Sequence, residues 1–139
     1  MTRSNETWSS VSLRVTSQTL TSAAIVARLS AKASVGKDRG DPKSKSSPQA
    51  GVHDRALCIF SSPLESASLK EELDWLVDFI RSRQDALADL GQACSFDAWI
   101  GYSSGSGQAG LTIGHELLAL LGDLRIDLVL DVYAREDSV

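Results

Sequence analysis

Several segments of the chain alternate apolar and polar residues with a period of two. The alternation is clearest in WSSVSLRV, CSFDAWIGY and RIDLVLDVY. This period predicts strands that bury one face and expose the other. A shorter apolar run, RALCIFSS, predicts a further strand that ends before Pro63, because proline cannot donate to a sheet ladder.

Apolar residues at helical spacing lie between these strands. A short helix is predicted where Thr21 or Ser22 can serve as the N-cap. A long amphipathic helix is predicted over 68–91, because Ser68 and Glu71 have the spacing of a capping box and an apolar stripe follows them. A last short helix is predicted at HELLALLGD.

Gly105, Gly107 and Gly110 spell GxGxxG, the pattern of a dinucleotide-binding loop. Such a loop needs an apolar parallel strand before it and glycines that open a helix directly. The strand before Gly105 alternates instead, and GLTIG has poor helix propensity. The sequence therefore favours a β-hairpin with SSGSG as its turn and QAGLTI as its second strand, so Gly105 and Gly107 lie in the turn and Gly110 in the strand. The alternative is a nucleotide-binding loop with Asp127 or Asp131 as its polar partner.

These elements predict an α+β fold of two layers, with helices on one face of a mostly antiparallel sheet. The predicted order is β-α-β-α-β-β-α-β, and its last six elements form the βαββαβ unit of ferredoxin-like folds. The length of 139 residues predicts a single domain over 1–139. The ends at about 1–7 and 135–139 are expected to be flexible, as is a loop rich in Gly, Pro and Ser at about 31–54.

The polar phase of the predicted strands places aromatic and acidic side chains on the face that the helices leave open. Trp99 and Tyr133 matter most, because aromatic residues among polar groups are typical of protein-binding hot spots. Three aspartates on this face could hold a divalent cation, but no residue completes a recognisable metal motif, which favours a solvated acidic face. The candidate binding surface consists of Asp97, Trp99, Gln108, Thr112, Asp127, Asp131 and Tyr133.

Candidate chemistry elsewhere in the chain is sparse. Cys58 and Cys94 fall in alternating runs and are predicted to be buried thiols, with no metal-binding spacing around them. His115 and Glu116 are adjacent, so on a helix their side chains diverge by about 100 degrees and do not form an acid–base pair. The sequence thus assigns no catalytic residue, no metal ligand and no cofactor.

Charge and hydropathy narrow the choice of partner. The formal net charge of −4 disfavours a nucleic-acid surface, and an RNA-binding sheet would need cations beside its aromatic residues. No apolar run is long enough to cross a membrane, and MTRSNETWSS lacks the apolar core of a signal peptide. We therefore expect a cytoplasmic protein whose partner is another protein rather than a nucleic acid or a membrane, with self-association left open.

Three stretches resemble a known family: GKDRGDP, IFSSPLESASLKEELDWLVDFI and IGYSSGSGQAGLTIGHELLALLGDLRIDLVLDVY. From about Ser12 to Tyr133 the chain is similar to a bacterial domain of unknown function, DUF4279. The resemblance implies no established activity and no catalytic residues.

Together these observations favour a non-enzymatic protein-interaction module. A toxin-neutralising immunity protein is a concrete subcase, by analogy alone, because such proteins are commonly acidic single domains without a catalytic constellation. The alternative is a small-ligand or nucleotide-binding enzyme centred on the loop from Gly105 to Gly110.

Overall fold

The computed structural model describes residues 7–104 and 110–133. Within them the chain forms five strands in the sheet order β2-β3-β1-β4-β5, in which every neighbouring pair is antiparallel except β4 and β5. The elements are β1 (Thr7–Ser17), α1 (Ser22–Leu29), β2 (Val35–Lys37), β3 (Ala56–Ser61), α2 (Leu69–Arg81), α3 (Gln84–Leu90), β4 (Ser95–Ser104), α4 (His115–Asp123) and β5 (Ile126–Val132). The predicted α+β class and mostly antiparallel sheet are confirmed.

One phase of the strands and the inner sides of the helices share a single core. Val11, Leu13 and Val15 of β1 are almost completely buried, and they meet residues of α2 such as Leu76 and Ile80. Burying these aliphatic side chains is the main favourable term in folding. The opposite phase of the same strands is covered by no helix of the described chain, so the sheet has a covered face and an open face.

The predicted strand QAGLTI is wrong over its described part, because residues 110–114, including Gly110, are irregular. The rest of the predicted hairpin, with Gly105, Gly107 and Gln108, lies outside the described residues. The physical reason is that β4 has no free edge. β1 pairs along one side of β4 and β5 along the other. Because parallel strands need a crossover, α4 connects β4 to β5 in a βαβ unit. The predicted element order and the ferredoxin-like unit are therefore not formed.

The predicted long helix is two helices, separated at Ser82 and Arg83. The Ser82 hydroxyl donates to the Phe79 carbonyl at 3.2 Å, and Arg83 Nε donates to the Leu29 carbonyl of α1 at 2.9 Å. The Ser82 bond competes with continuation of the helix, and the Arg83 bond attaches the break to α1. The capping box at the start of α2 is confirmed, with Ser68 Oγ accepting from the Glu71 amide at 3.2 Å.

The segment predicted as an irregular loop contains β2 and is attached to α1. The Asp38 carboxylate accepts from the Ser22 amide at 2.7 Å and from the Ser22 hydroxyl at 3.0 Å. Asp41 in turn accepts from the Asp38 amide at 2.8 Å, and Gly40 adopts a φ of +92°. A carboxylate at the N-terminus of α1 also interacts favourably with the helix dipole. The flexibility of this segment stays a prediction.

Candidate functional site

The open face is built from rows of side chains that the strand register places side by side. Arg14 of β1 lies opposite Asp97 of β4, which lies opposite Asp127 of β5. The next row contains Trp99, and the one beyond it contains Asp131. Because directly paired residues point to the same side of a sheet, these side chains share the open face.

The structure therefore brings together five members of the candidate binding surface: Asp97, Trp99, Asp127, Asp131 and Tyr133. Their binding role stays a prediction. Gln108 lies outside the described residues. Thr112 is not on this face, because the strand that was predicted to carry it is absent; it is exposed in the irregular segment before α4.

The centre of the open face is a stacked pair of side chains, Arg14 and Trp99. The Arg14 guanidinium carbon lies 3.8 Å from the centroid of the Trp99 ring, within the range of a cation–π interaction. Arg14 Nε and Trp99 Nε1 are both buried, and neither has a hydrogen-bond acceptor among the described residues. Buried donors in folded proteins are nearly always paired, so these two atoms call for an explanation.

A second aromatic pair lies toward the β5 end of the same face. The rings of Trp8 and Tyr133 have centroids 4.9 Å apart and are tilted by 51°. Trp8 reaches across β4 above Gly101, where an added Cβ would lie 3.3 Å from Trp8 Cζ3 and 2.7 Å from Ser10 Oγ. The Tyr133 hydroxyl donates to Asp131 at 2.9 Å. Glycine at position 101 therefore leaves room first for the Ser10 hydroxyl and then for the tryptophan ring.

Trp8 was missed as a candidate site residue, and Arg14 was not included in the candidate binding surface, although the phase of its strand predicts that it lies on the open face. Both occupy the polar phase of β1, so the alternation in WSSVSLRV carried the signal. Their ring contacts depend on which strand lies beside β1, and local periodicity does not contain that information.

The two sides of the open face differ in chemistry. Toward β2 and β3 it carries the half-buried aliphatic side chains of Val35, Leu57 and Ile59. Toward β4 and β5 it carries three aspartates. In the described residues no group of three or more His, Cys, Asp or Glu side chains is placed to hold a metal ion, so the aspartates are not gathered into a site for a cation.

A family model for a domain of unknown function, DUF4279, matches residues 6–135. The chain belongs to this family. Comparison with curated proteins and with solved structures finds no match. In the described part of the DUF4279 chain, no helix has both the length and the apolar character needed to cross a membrane.

The thiols of this DUF4279 chain are poor candidates for nucleophilic chemistry. Cys58 is fully buried, as predicted, and burial raises its pKa to about 11, with smaller contributions from Asp38 and Cys94. Burial also raises the pKa of the half-buried Cys94. Both side chains are therefore neutral thiols near pH 7, whereas the thiolate is the nucleophile.

One carboxylate is buried on the covered face. Glu72 of α2 is 5% exposed and accepts a hydrogen bond from the Ser9 hydroxyl of β1. A buried carboxylate with a partner of this kind joins the helix layer to the sheet. Its position under α2 separates it from the aspartates, which project from the other face of the sheet.

A groove of about 750 Å³ lies on the covered face, between α2, α4 and residues 110–114. Arg81 of α2 and Glu116 of α4 form an ion pair across it. Gly110 precedes the N-cap, Gly114, by four residues, so it does not open α4 directly as a dinucleotide loop requires. Asp127 and Asp131 project from the opposite face of β5, where neither can serve as the polar partner of a ligand in the groove.

Proposed function

We propose that this DUF4279 chain is a non-enzymatic protein-interaction module whose partner binds the open face of the sheet. The stacked pair of Arg14 and Trp99 carries the proposal. Leaving a buried donor without an acceptor costs about 1–3 kcal/mol. Both side chains are partly exposed, and a partner that repacks the pair would bring oxygen atoms to Arg14 Nε and Trp99 Nε1 and offset that penalty.

The composition of the open face supports a protein partner. Tryptophan, tyrosine and arginine dominate the binding energy of protein interfaces, and they do so near the centre of the contact. Here Arg14 lies on the central strand β1 and Trp99 on its neighbour β4, and Trp8 packs against Tyr133 beside them. The aliphatic side chains toward β3 add the apolar area that such a centre needs around it.

Charge favours a partner with a basic surface. The chain has a net charge of −4, and three of its acids, Asp97, Asp127 and Asp131, lie along one side of the open face. Complementary charge accelerates encounter and rejects wrong partners. A basic toxin neutralised by this domain is the subcase that combines these features, and it rests on analogy.

The groove between α2 and α4 supports a second candidate, a small-ligand-binding enzyme. It lies where β4 ends and the chain turns toward α4, and ligands of α/β units bind at the carboxyl ends of strands. Apolar side chains such as Leu73 and Val77 line it beside the charged Asp74 and Arg81. This candidate predicts a small molecule that remains bound during purification.

The test is capture of partners from a lysate of the native host with tagged wild-type chain, followed by affinity measurement with the purified partner. For Trp99→Ala we expect a Kd at least thirtyfold weaker, about the effect of losing a 2 kcal/mol hot spot. Ser95→Ala, an exposed change at the end of the same face, is the matched control and should leave the Kd unchanged. Circular dichroism checks that both variants fold.

An unchanged Kd in folded Trp99→Ala would contradict the open face as the binding surface. Native mass spectrometry of the purified chain tests the second candidate, the small-ligand-binding enzyme. A bound small molecule that is lost in folded Val77→Trp, a change at a half-buried position lining the groove, would favour the enzyme and count against the interaction module.

A further inference from the structure

The two edges of the sheet are protected to different degrees. At one edge β2 is three residues long and contains Gly36 and Lys37. Short strands and lysine are common devices that prevent a sheet edge from pairing with another chain. At the other edge β5 is seven residues long, and within residues 7–104 and 110–133 no strand pairs with its outer side.

Apolar side chains are exposed on the covered-face side of this second edge. Leu130 is 47% exposed and Val132 is 58% exposed, although the register places them beside Ile100 and Tyr102. On α4, Leu118 is 47% exposed. Leu118 follows Glu116 by two residues, about 200° around the helix, so it lies on the flank turned away from α2.

The other side of the same strand is acidic. Asp127 and Asp131 project to the open face, and Asp97 of β4 lies beside Asp127. The outer edge of β5 therefore combines a backbone that no described strand pairs with, apolar side chains on one side and carboxylates on the other. We call this surface, defined by Leu118, Asp127, Leu130, Asp131 and Val132, the β5 edge.

We propose that the β5 edge accepts an extended segment of a partner protein as a sixth strand, and that this segment alternates basic with apolar residues. Successive side chains of an added strand point to opposite faces. Its basic residues would lie beside Asp127 and Asp131, and its apolar residues beside Leu130 and Val132. A shift by one residue would exchange the two sets, so the alternation is strict. This inference rests on the proposed interaction function and specifies how a partner binds.

A second copy of the chain is a poorer occupant than a basic segment. If two copies of β5 paired antiparallel about Val129, Asp127 of each would lie opposite Asp131 of the other. Like charges directly opposite one another destabilise a strand pair. Main-chain hydrogen bonds to a basic segment carry no such penalty, and alternating side chains give specificity, as in other cases of strand addition.

The probe is a fluorescent peptide of about eight residues that alternates lysine and valine, close to the length of an average strand. We expect saturable binding by fluorescence anisotropy, and binding at least tenfold weaker for a peptide of the same composition with its lysines in one block. Asp127→Asn with Asp131→Asn should also weaken binding about tenfold. The matched control is Asp54→Asn, since Asp54 is an exposed acid remote from the β5 edge.

Backbone methylation tests strand addition itself. Only alternate amides of an added strand face β5, so N-methylation of one alternating set should abolish binding and N-methylation of the other set should be tolerated. Equal binding by the alternating and block peptides, or equal effects of both methylation sets, would overturn the proposal. A dimer in sedimentation that Val132→Lys converts to monomer would also overturn it, because the occupant would then be a second copy.

Binding of the captured partner to variants of each surface distinguishes failure of this inference from failure of the proposed function. If Trp99→Ala weakens binding of the partner while Leu130→Lys and Val132→Lys do not, the β5 edge is not the binding site and the open-face proposal stands. If Trp99→Ala leaves the partner bound, the open-face proposal fails regardless of the peptide result.

Discussion

Leu13 and Arg14 are neighbours on β1, yet their surroundings are opposite. Leu13 is fully buried in the core beneath the helices, whereas Arg14 stacks on Trp99 on the open face. The comparison teaches that one strand supplies both stability and a candidate binding surface, and that its two-residue period keeps them apart. Substitutions one position apart should therefore have separable effects.

The largest expected loss of stability follows from a substitution on the covered face. Leu13→Ala should lower the free energy of unfolding by about 2–5 kcal/mol, the usual range when a buried leucine leaves a cavity. Ser12→Ala, the adjacent change on the open face, should shift it by less than about 0.5 kcal/mol. Urea denaturation measures both. Similar losses for the two variants would show that the open face is also part of the core.

A smaller effect is expected where β2 and its loop attach to α1. Asp38→Ala removes two hydrogen bonds to Ser22 and an acceptor at the helix N-terminus. We expect a loss of about 1–3 kcal/mol in the free energy of unfolding. The control is Asp54→Ala, because Asp54 makes an exposed ion pair with Arg55, a kind of contact worth about 0–1 kcal/mol. If the two variants have the same free energy of unfolding, the attachment of the loop to α1 contributes little to stability.

Local patterns predicted the elements whose signals are contained in a few neighbouring residues. The alternation in β1, β4 and β5 and the capping box of Ser68 and Glu71 are of this kind. The position of Trp99 on the open face also follows from the phase of β4.

The remaining features depend on residues distant in sequence. GLTIG reads as a strand in isolation, but β1 and β5 already occupy both sides of β4. The break between α2 and α3 involves the bond from Arg83 to the Leu29 carbonyl, 54 residues away. The stack of Arg14 on Trp99 likewise needs the register between β1 and β4. Non-local pairing is the information that periodicity does not supply.

The smallest expected effect lies away from both faces, at the capping box of α2. Hydrogen bonds from the Ser68 amide and then the Ser68 hydroxyl lower the pKa of Glu71 below its ordinary value of 4.5. A carboxyl group with a lowered pKa in the folded state contributes stability above its unfolded pKa, and this contribution is lost as the pH falls through the folded value. Glu71→Gln keeps a side chain that can accept the Ser68 amide but removes the charge.

Wild type should therefore be slightly more stable than Glu71→Gln at pH 7, and the difference should shrink as the pH falls below 4.5. Urea midpoints across that range measure it. A difference that stays constant with pH would show that the glutamine weakens packing rather than the charged cap. Because Glu71 is exposed and belongs to neither face of the sheet, its substitution should also leave partner affinity unchanged, which separates a loss of stability from a loss of binding surface.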